Sequence, residues 1–145
     1  MAPSPSVWHQ TAVGAIYVAL MQWGATRTPA PTVLMAPVDV RMGPGRILQP
    51  DVLVFLEALP LDARTPLERT PDLCVEVLSS NASYDRITKH RIYAEAGVRE
   101  YWMVERSGQL ERYSGPELTR LDTLDATLTS SLFPGLHVDL STLLP

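Results

Sequence analysis

The chain has 145 residues, 46% of them hydrophobic and 19% charged, and its formal net charge at pH 7 is −4. This length and composition predict a single folded domain over residues 1–145 and exclude a disordered chain. No apolar run is long enough to cross a membrane and no signal-peptide pattern is present, so we expect a cytoplasmic protein with no membrane partner. The net negative charge also argues against binding nucleic acid mainly through non-specific phosphate contacts.

The first half of the chain predicts one helix followed by extended segments. Apolar residues recur with helical spacing from Val13 to Met21, and the helix is expected to end near Gly24. Alternating residues between Val38 and Met42 are typical of a half-buried strand. The run Val52 to Leu56 is typical of a strand covered on both faces. The extended segments in order are Thr32 to Met35, Val38 to Met42 and Ile47 to Phe55.

The second half predicts a strand, a helix and a further strand with an appended hairpin. The apolar run Leu73 to Leu78 indicates a buried strand, and the helix that follows its polar loop is expected to end at Gly97. The remaining predicted elements are strands at Val98 to Glu105, Gln109 to Tyr113 and Leu118 to Leu121, and a helical turn from Asp139. The elements predict an α/β fold whose mixed-sheet core has the order αβββαβ, one strand fewer than the four extended segments before the second helix, with flanking helices and an added C-terminal hairpin.

Two carboxylates interrupt the predicted apolar strands. Asp51 precedes the run at Val52, and Glu76 lies in the middle of its own strand, where an ionised carboxylate is costly unless a partner compensates its charge. Opposed side chains on neighbouring strands are only about 5 Å apart. Together with a backbone carbonyl such as that of Val77, the two carboxylates would form an oxygen site suited to Mg²⁺ or Mn²⁺. The presence of an aspartate at position 51 is explained equally well if its side chain caps a turn or pairs with an arginine.

Lys89 is the single lysine among twelve basic residues. Its compact ammonium differs from the guanidinium of arginine, and its place on the helix after Glu76 suits the stabilisation of developing negative charge. Asp85, Lys89 and Tyr93 are spaced i, i+4, i+8 and share one helix face. The helix dipole and an ordinary helix ion pair explain Asp85 equally well, and Tyr93 is equally typical of a core aromatic. The same helix is predicted to carry the basic face of the protein, because it contains Arg86, His90 and Arg91.

The order of these residues resembles the Uma-type family of restriction-endonuclease-like proteins, which belongs to the PD-(D/E)XK nuclease superfamily. The resemblance runs from about His9 to the segment Phe133-Pro134-Gly135, nearly the whole chain. The residues that carry it are Gln49-Pro50-Asp51, Glu76-Val77-Leu78-Ser79, Asp85, Lys89, Tyr93 and Gly97-Val98-x-Glu100-Tyr101-Trp102. The resemblance implies a restriction-endonuclease-like fold, a DNA substrate and action as a homodimer.

The resemblance also implies roles for individual residues. Asp51 takes the place of the "PD" aspartate and Glu76 that of the second carboxylate, whereas Leu78 occupies the position where the superfamily normally has its lysine. That lysine role falls to Lys89 on the following helix. The implied catalytic residues are thus Asp51, Glu76 and Lys89, and the implied metal ligands are Asp51, Glu76 and the carbonyl of Val77. The candidate supporting residues are Asp85, Tyr93, Ser79 and His9.

Three functions follow as alternatives. The first is a metal-dependent nuclease that hydrolyses phosphodiester bonds of DNA with Mg²⁺ or Mn²⁺. The second is a catalytically inactive nuclease-fold protein that binds nucleic acid or a protein, and the third is a phosphohydrolase for small molecules. Family members carry an additional N-terminal strand with a glutamate ahead of a segment like MAPSPSVWHQ, where this chain begins. We expect either a start assigned too far downstream or a domain truncated at its N-terminus.

Overall fold

A computed structural model describes residues 5–78 and 83–144, without the side chains of residues 83–85. The predictions for Ser79 and for the Asp85 side chain fall outside this described part. The helices are α1 (Val7–Gly24), α2 (Ser83–Ala96) and α3 (Leu140–Leu143), and a 3₁₀ turn spans Pro116–Leu118. The strands are β1 (Thr32–Met35), β2 (Val40–Arg41), β3 (Ile47–Leu48), β4 (Val52–Phe55), β5 (Leu73–Val77), β6 (Glu100–Val104), β7 (Leu110–Ser114), β8 (Arg120–Leu124), β9 (Thr127–Leu128) and β10 (Val138–Asp139).

A mixed sheet of six strands, in the order β1-β4-β5-β6-β7-β8, forms the centre of the fold. Strands β5 and β6 are parallel and are connected by α2, whereas the other neighbouring strands are antiparallel. Every residue of β4, β5 and β6 is buried, which agrees with their continuous apolar runs. The predicted α/β class with a mixed sheet flanked by helices is therefore confirmed.

The sheet separates two hydrophobic clusters because successive side chains of a strand point to opposite faces. Val52 and Val75 belong to the cluster that contains residues of α1, including Ile16. Leu53 and Cys74 belong to the other cluster, which contains Tyr93 of α2 together with Tyr101 and Met103. The two helices that could contribute side chains to a common site thus lie on opposite faces of the same sheet.

The segment from Val38 to Met42 differs from its prediction as a strand of the sheet. Only two residues of this segment, Val40–Arg41, form a strand (β2), and they pair with β3 in a separate two-stranded sheet. The reason is local: Met42 N–H donates to the Arg46 carbonyl at 2.8 Å, so the glycine-rich turn folds the chain back on itself. Val40 and Met42 are nevertheless buried, as their alternation predicts.

The helix boundaries are set by capping. α1 begins at Val7, earlier than its apolar periodicity indicates, because the Ser6 hydroxyl accepts the N–H of His9 at 3.0 Å and caps the first turn. α2 ends as predicted before Gly97, whose φ of 88° lies in the left-handed region that glycine adopts without strain. In the described residues, no helix has both the length and the apolar character that crossing a membrane requires.

Candidate active site

Asp51 and Glu76 lie opposite one another where β4 and β5 pair. Val52 is the register partner of Val75 in this antiparallel pair, so one further step along the ladder places Asp51 across from Glu76. The Glu76 residue is only 5% exposed, and the Asp51 side chain is 17% exposed. The two inner strands thus bring carboxylates from distant parts of the sequence together at one end of the β4–β5 pair.

Asp51 is held from two directions. The backbone N–H of Val77 donates to Asp51 Oδ2 at 2.8 Å, and Nε2 of His9 on α1 lies 3.4 Å from the same oxygen. The backbone of Asp51 is also fixed, because its carbonyl accepts the N–H of Ala36 at 3.0 Å. Asp51 therefore connects the end of β5 with the start of α1.

Both oxygens of Glu76 contact side chains of α2. The hydroxyl of Tyr93 donates to Oε1 at 2.6 Å, and Nζ of Lys89 lies 3.3 Å from Oε2. Lys89 and Tyr93 are four residues apart on one face of the helix, as their spacing predicts. The Lys89 side chain is 26% exposed, so its ammonium stands between the buried carboxylate and solvent.

Burial raises the pKa of Glu76 from 4.5 to about 8. Loss of water is the largest cause, since an ionised carboxylate is poorly solvated inside the protein. The charge of Asp51 raises the pKa further, whereas the ammonium of Lys89 and the hydrogen bonds from Tyr93 and Lys89 lower it. Although Lys89 stands at ion-pair distance, desolvation dominates, so a large fraction of Glu76 is protonated at pH 7.

This donor set can be tested for its fit to a divalent cation. In the described part of the chain, no group of three or more His, Cys, Asp or Glu side chains is arranged to hold a metal ion. Mg²⁺, however, commonly binds through one or two carboxylates and keeps several water molecules. Burial without full compensation raises the pKa of Glu76, and a bound cation would favour the ionised carboxylate. Asp51 and Glu76 therefore fit a two-carboxylate cation site completed by water.

The structure brings together six of the eight residues singled out in the sequence. His9 and the N–H of Val77 contact Asp51, whereas Lys89 and Tyr93 contact Glu76, and the β4–β5 ladder places these two sets of contacts next to one another. The proposed coordination by the Val77 carbonyl stays a prediction, as do the catalytic roles. Ser79 and the Asp85 side chain lie outside the described residues.

Two of the three residues of the expected basic face of α2, Arg86 and His90, contact other elements of the fold. Arg86 pairs with Glu111 and with Glu105, which is 3.3 Å away, and Nε2 of His90 lies 2.9 Å from the carbonyl oxygen of Leu118. These partners come from later strands and turns, so spacing within the helix gave no sign of them. The exposed Arg106 lies in the turn between β6 and β7, and its guanidinium stands 6.0 Å from the ring centroid of Trp8.

Comparison with solved structures identifies the class of fold. The chain is similar to a crystal structure described as a putative nuclease belonging to DUF820 from Anabaena variabilis ATCC 29413. The TM-score is 0.76 at 18% sequence identity, and the match covers 97% of this chain and 82% of that chain. The central sheet and its flanking helices are thus a nuclease-type fold.

The family follows from the sequence. Residues 1–142 match the family Uma2, described as "Putative restriction endonuclease". The chain therefore belongs to the Uma2 family, which confirms the resemblance seen in its motifs. A comparison with curated proteins finds no match.

Proposed function

We propose that the chain is a metal-dependent nuclease that hydrolyses phosphodiester bonds of DNA, acting as a single domain over residues 1–145. The observation that carries the proposal is the contact of Lys89 Nζ with Glu76 Oε2 at 3.3 Å, directly across the β4–β5 ladder from Asp51. Two carboxylates on opposed strand positions, one of them in contact with an amine, are the groups expected for cation-assisted hydrolysis of a phosphodiester. The family and the fold support the same reaction class.

In this proposal the carboxylates of Asp51 and Glu76, with the carbonyl of Val77, hold Mg²⁺ or Mn²⁺. The cation, when bound, supplies charge stabilisation and a more acidic water molecule. Lys89 contributes its ammonium, which orients the attacking water or stabilises the negative charge that develops on the phosphate. Tyr93 keeps the Glu76 carboxylate in one orientation by donating to Oε1 at 2.6 Å.

The test is cleavage of supercoiled plasmid and of single-stranded DNA with Mg²⁺ or Mn²⁺. Wild type is compared with Glu76→Ala and Lys89→Ala, and Arg120→Ala on the exposed edge strand β8 serves as a matched control for removing a positive charge. We expect metal-dependent nicking by wild type and by the control, and a loss of at least about 100-fold in both site variants. No cleavage by folded wild-type protein with either metal contradicts the proposal.

One observation favours the second candidate, a catalytically inactive nuclease-fold protein that binds nucleic acid or another protein. Both oxygens of Glu76 already have donors in Tyr93 and Lys89, so the buried carboxylate is partly satisfied without a cation. This candidate predicts DNA binding that is unchanged by Glu76→Ala and independent of Mg²⁺. Sedimentation of the intact chain, alone and with DNA, tests whether it also forms the homodimer expected from the resemblance.

A further inference from the structure

His9 approaches the candidate site from the face of the sheet opposite to Lys89. It lies in the first turn of α1, where the Ser6 cap accepts its backbone N–H at 3.0 Å and fixes the start of the helix. Nε2 of the imidazole is 3.4 Å from Oδ2 of Asp51, and each side chain is 17% exposed. The contact is longer than a full hydrogen bond, and such contacts often shorten only when substrate or cofactor binds.

The two ring nitrogens of His9 have different surroundings. Nε2 faces the carboxylate of Asp51, whereas Nδ1 is buried and has no hydrogen-bond partner among residues 5–78 and 83–144. A neutral imidazole has one N–H and one lone pair. With the proton on Nε2, the N–H points at a carboxylate; with the proton on Nδ1, a buried donor is unpaired and a lone pair faces a negative charge. The first arrangement is the more favourable, so the surroundings of the ring favour a proton on Nε2, which faces Asp51 across 3.4 Å.

The same observation argues against His9 as a ligand of the cation. A histidine that binds a metal through one nitrogen almost always donates its other N–H to a carboxylate, a carbonyl or water. Nδ1 of His9 has no such partner in the described structure. The described residues also include no group of three side chains arranged around a metal.

We propose that His9 is a positioning residue for Asp51. Its Nε2–H and the N–H of Val77 both contact Oδ2 and hold the carboxylate by one oxygen, so that Asp51 presents its other oxygen to the cation shared with Glu76. Hydrogen bonds to a ligating carboxylate fix its orientation and commonly change metal affinity 10- to 100-fold. This inference rests on the proposed function, because it assigns His9 a role in the same cation site.

The test compares His9→Leu, which removes the donor, with His9→Gln, whose amide nitrogen can reach a similar place. His137→Leu removes an exposed histidine elsewhere and is the matched control. Binding of Mg²⁺ and of Mn²⁺ to the full chain is measured by titration calorimetry, with circular dichroism as a check on folding. We expect His9→Leu to weaken the binding of Mg²⁺ and of Mn²⁺ by a similar factor, about tenfold or more. The affinities of His9→Gln and His137→Leu for both ions should remain close to those of wild type.

Each contrary outcome has a distinct meaning. Unchanged affinity in folded His9→Leu overturns the inference. A much larger loss for Mn²⁺ than for Mg²⁺, not restored by His9→Gln, also overturns it, because imidazole ligation favours the softer ion. Metal binding by wild type without cleavage overturns the proposed nuclease function alone and leaves the His9 result valid. Failure of wild type to bind either ion overturns both proposals.

Discussion

The hydroxyl of Tyr93 donates a 2.6 Å hydrogen bond to Oε1 of Glu76, and both groups are buried. Burial raises the pKa of Tyr93 well above its usual value, and the nearby charge of Glu76 raises it further. Tyr93 therefore keeps its proton and acts as a permanent donor. Because it extends from the same helix as Lys89, the orientation of the carboxylate and the position of the amine are fixed together.

Replacing Tyr93 with Phe removes this donor while keeping the ring in the core. We expect the pKa of Glu76 to rise, the affinity for Mg²⁺ at pH 7 to fall several-fold, and the free energy of unfolding to fall by about 1–3 kcal/mol. Chemical denaturation and metal titration measure the two effects. Tyr113→Phe is the matched control, because its hydroxyl donates to Glu111 at 2.7 Å on a partly buried surface. Equal metal affinity in Tyr93→Phe and wild type would contradict the proposed role.

The raised pKa of Glu76 predicts that cation binding releases a proton. Below its pKa of about 8 the metal-free carboxyl is mostly protonated, whereas a cation binds the ionised form. We expect release of about one proton per cation at pH 7, and affinity that increases with pH and levels off above pH 8. Calorimetry in buffers with different ionisation enthalpies measures the proton count. Glu76→Gln should show neither the release nor the pH dependence.

The same pKa sets how the stability of the metal-free protein depends on pH. Because the folded-state pKa lies above the ordinary value of 4.5, folding favours the protonated carboxyl. Its stabilising contribution is complete below pH 4.5 and is lost as the pH rises through 8. The free energy of unfolding of wild type relative to Glu76→Gln should therefore decrease between pH 5 and pH 8. A difference that stays constant across this range is the contrary result.

A second buried carboxylate, Glu100, has a structural role that can be separated from the candidate site. Its oxygens accept the indole N–H of Trp102 at 2.7 Å and the hydroxyl of Ser130 at 2.7 Å, which ties β6 to the C-terminal segment. Burial raises its pKa, while the hydrogen bonds from Ser130 and Trp102 oppose the rise. Glu100 pairs with Leu73 at the start of β5, three residues before Glu76, so the two carboxylates lie about 10 Å apart along the strands.

Glu100→Ala should destabilise the fold without affecting the cation site. The change leaves two buried donors without their acceptor, so we expect the free energy of unfolding to fall by about 2–4 kcal/mol. The control variant Glu57→Ala, at an exposed position, should change it negligibly. Denaturant unfolding measures the loss, and Mg²⁺ affinity is expected to stay at the wild-type value while the protein is folded. Reduced affinity in folded Glu100→Ala would show that the two ends of the sheet are coupled.

Alanine substitution at two glycines should change the free energy of unfolding in opposite directions. Gly97 has a φ of 88°, which an alanine adopts only with strain, so Gly97→Ala should destabilise the fold by about 1 kcal/mol or more. Gly14 lies inside α1, and an added Cβ there meets nothing within 4 Å. Gly14→Ala should therefore stabilise the fold by about 0.5–1 kcal/mol. Thermal unfolding of the two variants checks the signs, and a stabilised Gly97→Ala is the result that the backbone geometry excludes.

Much of this architecture could be predicted because local signals agree with the tertiary structure. The apolar runs around Val52 and Val75 gave the buried strands, and Gly97 gave the end of α2. The alternation of apolar and polar residues from Val38 to Met42 could not show whether this segment joins the central sheet. In the structure it pairs with β3 in a separate two-stranded hairpin. Leu118 similarly ends a 3₁₀ turn, and β8 begins only at Arg120.

Beyond the strand pairing of Asp51 with Glu76, the contacts of the candidate site were predictable where they are local in sequence. Helical spacing placed Lys89 and Tyr93 on one face, and both contact Glu76. The approach of His9 to Asp51 joins residues 42 positions apart on different faces of the sheet, and no spacing rule relates them. Pairing of Arg86 with Glu111 was hidden for the same reason, because the partner lies on a strand whose position depends on the whole sheet.

The connection β5–α2–β6 has a consequence for the order in which the molecule assembles. Glu76, Lys89 and Tyr93 all lie within residues 73–104, one continuous strand–helix–strand unit. The contacts of Glu76 with Lys89 and Tyr93 span 13 and 17 residues of the chain, whereas Asp51 contacts Val77 across 26 residues and His9 contacts Asp51 across 42. Contacts between residues far apart in the chain form more slowly on average, so we expect a cation site that needs both carboxylates to be completed after the lysine–tyrosine–glutamate cluster has formed.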